Sequence, residues 1–213
     1  MKITFRIVIA IISLGVIAAA VFVPIFNINV AALGITLEED FSIYELIKLA
    51  IPEGSNSEAA FNLAEFWQNV KESKDVIKPL IAPVITFVVS FILALLLALA
   101  TLVTNLIKPM KKTTMFLGLA GILSIVAAFI SVNAVEKILV AGEINVFSIF
   151  DLGFLFSLAT SFVEIKTFGL GSGVNLMLFA FIFIFIWGLS HILIELGDPK
   201  AQKISPVKER KRI

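Results

Sequence analysis

The chain has no cysteine and only one histidine and one tyrosine. The lack of cysteine excludes disulfides, thiolate metal centres, iron–sulfur clusters and a cysteine nucleophile. It also excludes the disulfide-stapled loops on which small secreted domains rely. A zinc site needs three or more protein ligands, and the chain has no second histidine and no cysteine to offer. Charge is scarce as well: 15% of the 213 residues are charged, against roughly 25% in a soluble domain. With 59% hydrophobic residues and a mean hydropathy of +1.05, the chain cannot cover a core with polar surface. Lipid must be its solvent. No phosphate-binding glycine loop is present, and Gly169-Leu170-Gly171-Ser172-Gly173 follows no predicted strand, which argues against a dinucleotide fingerprint there. These absences leave no cofactor, no metal and no catalytic constellation to propose.

Long apolar runs are what the chain does have. About 20 apolar residues are needed to cross a ~30 Å hydrocarbon layer as a helix. Four runs qualify, at about 7–26, 80–107, 115–132 and 174–194. Unpaired backbone amides are costly in lipid, so such runs must be helical. The second would measure roughly 42 Å as a straight helix, so it tilts or projects. The expectation is an all-α membrane protein forming one integral domain, a four-helix bundle. Outer segments at about 27–79 and 133–173 contain short amphipathic helices, and a basic tail covers about 197–213. The first run resembles a signal peptide in its Met-Lys start and small residues Ala18–Ala20. It continues apolar through Val23, which favours retention as a span.

Orientation follows from the basic residues. Lys2 and Arg6 precede the first span, and Lys108, Lys111 and Lys112 fill the link between the second and third. Lys200, Lys203, Lys208, Arg210, Lys211 and Arg212 follow the fourth. The two other segments are richer in acid. The positive-inside rule places both termini in the cytoplasm of a cell-membrane protein. The tail is short and lacks interleaved aromatics, so nucleic acid is not an expected partner.

One string recurs. Phe41-Ser42-Ile43-Tyr44-Glu45-Leu46 returns as Phe147-Ser148-Ile149-Phe150-Asp151-Leu152, and at the same offset Asn27 falls on Asn133. Each copy reads as helix out, polar Asn, irregular link, string, helix back, which suggests an internal parallel duplication. Serine followed three residues later by an acid is the capping-box pattern, so Ser42, Glu45, Ser148 and Asp151 are expected helix caps. Glu45 and Asp151 as a paired acidic site is the alternative. Between Glu58 and Asp75 the apolar residues recur at helical spacing, predicting an outer helix that continues into the second span through Pro79. Phe66 and Trp67 on it are candidate partner contacts.

His191 and Glu195 lie one turn apart near the inner end of the fourth span. They read as an interfacial polar pair, with proton coupling as the alternative. The spans carry no central charge, unlike most ion-driven transporters. Small residues at Ser90, Ala94 and Ala98, and at Ala120 and Ser124, offer seams for close helix approach. Phe179, Phe181, Phe183, Phe185 and Trp187 project around much of the fourth span. The expected function is a non-catalytic accessory or scaffold subunit that binds a larger membrane assembly. The alternative is a small oligomeric transporter or lipid-handling protein with its path at the repeat axis. The partners implied are membrane lipids and either another membrane protein or further copies of the chain.

Overall fold

The computed structural model describes residues 2–32, 35–45, 74–108, 110–140 and 163–197. Its elements in chain order are α1 (Lys2–Phe22), β1 (Phe26–Ala32), β2 (Ile35–Phe41), α2 (Lys74–Ile107), α3 (Lys111–Val140), β3 (Val163–Leu170) and α4 (Ser172–Gly197). All four helices are long and apolar enough to cross a membrane. Each packs against its neighbours in sequence, and α1 against α4 closes the ring.

The chain is not all-α. A three-stranded antiparallel sheet in the order β2-β1-β3 lies where α1 ends and α4 begins. The first span stops at Phe22, short of the expected residue 26. Pro24 has no N–H to continue the helix and disfavours helical backbone at Val23. From Phe26 the sequence Phe-Asn-Ile-Asn-Val alternates apolar and polar, the period of a half-buried strand. Phe26 and Asn27 of β1 face Phe41 and Asp40 of β2, and Leu170 and Gly169 of β3. One sheet face is apolar: Phe26 lies 4.9 Å from Phe87 of α2 and 5.5 Å from Phe168, ring centre to ring centre. The other carries Asn27, Glu38 and Asp40.

Two glycines where β3 passes into α4 have a fixed task. Gly171 N–H donates to the Ile25 carbonyl at 2.9 Å and Gly173 N–H to the Pro24 carbonyl at 2.8 Å. A Cβ at Gly171 would collide with the Pro24 carbonyl. The string begins inside an antiparallel strand, and Gly171 and Gly173 serve this backbone approach.

α2 and α3 overrun the expected spans at the ends nearer the sheet. α2 starts at Lys74 and runs through Pro79 and Pro83, 34 residues or about 51 Å. α3 continues through Glu136 and Lys137 to Val140. Asn133 therefore lies within a helix, whereas Asn27 lies in a strand, so the two positions are not equivalent in structure. At these ends Leu80 of α2 and Val135 of α3 form a small cluster against which Ile138, Leu139 and Phe168 pack.

Inside the bundle α3 and α4 approach closely. The contact runs through Gly118 and Gly121 more than through Ala120, which is half-buried. A Cβ on Gly118 would meet the Phe185 backbone nitrogen at 2.7 Å, and one on Gly121 would strike the Phe181 ring. On α4, a Cβ on Gly188 would meet the Met115 backbone nitrogen at 2.9 Å. Lipid gives helices no hydrophobic reason to associate, so this contact rests on van der Waals packing. Ser90, Ala94, Ala98 and Ser124 are all buried. Of the aromatic residues on α4, Phe181 is fully buried while Phe179 and Phe183 are exposed.

Candidate functional site

Ser42 follows β2 and opens a helical turn at residues 43–45. Its hydroxyl donates to Glu45 Oε2 at 2.8 Å and accepts from the Glu45 backbone N–H at 3.2 Å. The Ser42 backbone N–H donates to the same carboxylate oxygen at 2.7 Å. This reciprocal pattern has the form of a capping box. The backbone N–H, and after it the hydroxyl, hold the Glu45 carboxyl below its ordinary value of 4.5. Next to this turn, the Asn27 side-chain amide donates to Glu38 at 3.0 Å and to Asp40 at 2.8 Å. One amide thus bridges two carboxylates that would otherwise repel. Ser148, Asp151, Phe66 and Trp67 lie outside the described residues.

His191 is half-buried on α4. Its Nδ1 lies 3.0 Å from the Trp187 carbonyl one turn earlier. A carbonyl only accepts, so this contact is a hydrogen bond when Nδ1 carries the proton. The ring sits against Phe5 at 4.8 Å in an edge-to-face arrangement and 5.0 Å from Trp187. Glu195 follows one turn later in α4, and its side chain lies outside the described set. Among the described residues no three His, Asp or Glu side chains gather to hold a metal.

The same end of the bundle holds polar contacts that the apolar reading of the spans missed. Asn105 and Thr114, both fully buried, join α2 to α3. The Asn105 amide donates to Thr114 Oγ1 at 2.9 Å and to the Thr101 carbonyl at 2.8 Å. Thr114 Oγ1 lies 3.0 Å from Asn105 Oδ1 and 2.9 Å from the Met110 carbonyl, and its one proton can serve either. Arg6, which read as a flank of the first span, stands inside α1. Its Nη2 donates to the Ile107 carbonyl at 2.9 Å. That carbonyl is one of the unsatisfied groups at the C-terminus of α2, where a cation also meets the negative end of the helix dipole. Asn105 in the last turn of an apolar run was the available signal. Its partner could not be read, because nothing local says that Thr114 faces it.

No protein-family model, curated protein or solved structure matches the chain. The geometry alone must carry the functional reading.

Proposed function

We propose that the chain is a non-catalytic accessory or scaffold subunit, binding a larger membrane assembly through its outer segments and helix faces. The outer sheet is the observation that supports this reading. Strands from both outer segments build it, and its apolar face packs on the bundle. Asn27, with Glu38 and Asp40 on its amide, stands on the opposite face. A platform braced in this way presents fixed polar groups without needing to move. The bundle interior agrees with a binding role. Ala94, Ala98, Ile125, Ala128, Phe181 and Ile184 are fully buried, so side chains fill the space between the helices.

The same proposal sets the basic ends of the spans and both termini in the cytoplasm of a cell membrane, on the distribution of lysine and arginine. An internal duplication now rests on the recurring six-residue string alone, because Asn27 and Asn133 differ in structure. Copurification from native membrane in mild detergent tests the scaffold reading. A stoichiometric larger partner is the expected outcome. A self-contained oligomer that carries solute or lipid would replace this reading with the transporter one.

A further inference from the structure

We propose that the basic end of the bundle holds an anionic phospholipid where α1 meets the turn between α2 and α3. Arg6 starts the argument. Its Nη2 is fixed on the Ile107 carbonyl at 2.9 Å, and its Nε is buried without a hydrogen-bond partner. Lys108 follows Ile107 directly and is exposed; Lys112, also exposed, stands in the first turn of α3. Neither 2–11 nor 103–116 contains an aspartate or glutamate. Arg6 thus contacts the end of α2, Lys108 follows it and Lys112 opens the next helix, and those stretches hold no carboxylate to neutralise them.

Depth and surroundings identify the ligand. The apolar span of α2 ends at Ile107, which sets Lys108 at headgroup level. Beside the charges lie exposed apolar side chains, Ile7 and Ile11 on α1 and Val103, Leu106 and Ile107 on α2. A site with cations at the rim and bare hydrocarbon below fits a phosphate-bearing head with acyl chains. The exposed lysines bring point charge to a phosphate, and Arg6, held on the Ile107 carbonyl, adds positive charge beside them. A zwitterionic head brings its own cation towards this cluster, so the anionic class is favoured. This site is independent of the scaffold reading.

The test uses the purified full-length chain in nanodiscs of phosphatidylcholine with or without phosphatidylglycerol, and native mass spectrometry of the released protein. Phosphatidylglycerol should stay bound and phosphatidylcholine should not. Lys108→Gln with Lys112→Gln should weaken retention by about fivefold per removed charge. Arg6→Gln should act in the same direction, but it also removes the bond to Ile107. The lysine pair therefore decides the matter, with circular dichroism checking that the helices persist. A chain lacking 198–213 should retain the lipid. Equal retention of both lipids, or full retention in the lysine variant, would overturn the proposal, as would loss of binding with the tail alone. Release by inorganic phosphate would assign the site to free phosphate and overturn the lipid.

Discussion

Gly121 sets how closely α3 and α4 can pack. A Cβ there would enter the ring of Phe181, which is fully buried and has nowhere to retreat. Gly121→Ala should cost about 1–3 kcal/mol, the usual penalty for overpacking. Thermal unfolding in detergent measures it, and an unchanged midpoint would mean that the two helices stand further apart than described. Glu45 offers a second residue-level test, through pH. Its carboxyl lies below 4.5 because Ser42 donates to the charged form, first through its backbone N–H. A depressed carboxylate contributes stability that is fully present above 4.5 and is lost as pH falls through the lower folded value. Ser42→Ala removes the hydroxyl and leaves the backbone bond, so the Glu45 pKa should move part of the way back towards 4.5. A carbon-detected NMR titration of that carboxyl reads the change, and an unmoved value would show that the hydroxyl does not bond the carboxylate.

At the scale of elements, helices and strands were unequally legible, for a physical reason. A span declares itself through some 20 consecutive apolar residues, and α1 to α4 all meet that condition. Their ends were less clear, because α3 runs on through Asn133, Glu136 and Lys137, where polarity marks the end of the hydrocarbon and not of the helix. The strands are short, and β1 continues directly from the apolar run of α1, so its alternation was absorbed into a span and a link. The pairing of β1 with β3 joins residues far apart in the chain, which no local pattern can specify. The sites divide in the same way. The Ser42–Glu45 contact is local, whereas Asn105–Thr114 and Arg6–Ile107 depend on how helices meet. The β1–β3 register is open to direct test, because the chain has no cysteine of its own. Asn27 faces Gly169, and a Cβ at Gly169 meets open space. Asn27→Cys with Gly169→Cys should form a disulfide on mild oxidation, since directly opposed strand residues lie within bridging distance. Asn27→Cys with Phe168→Cys should not, because adjacent strand residues project to opposite faces. Proteolysis and mass spectrometry distinguish the two, and equal bridging in both pairs would remove the register.

At the scale of the whole molecule, the sheet and the basic turn mark opposite ends of one bundle. α1 leaves the basic end and reaches the sheet, α2 returns, α3 goes out again, and α4 starts from the sheet and comes back. If lysine and arginine hold the basic end inside the cell, the sheet faces outward and the 108–110 turn faces the cytoplasm. Glu39 on β2 and Lys112 at the start of α3 are both exposed, and each can carry a single introduced cysteine in a chain that has none. Glu39→Cys should react with a membrane-impermeant maleimide on intact cells, and Lys112→Cys only after permeabilisation. Both substitutions lie at chain surfaces, where most changes alter stability by no more than about 0.5 kcal/mol, so loss of folding does not confound the readout. The reverse pattern would invert the orientation and put the acidic sheet inside. Labelling of both positions in intact cells would put both ends of α2 on one side, and α2 would then not cross the membrane.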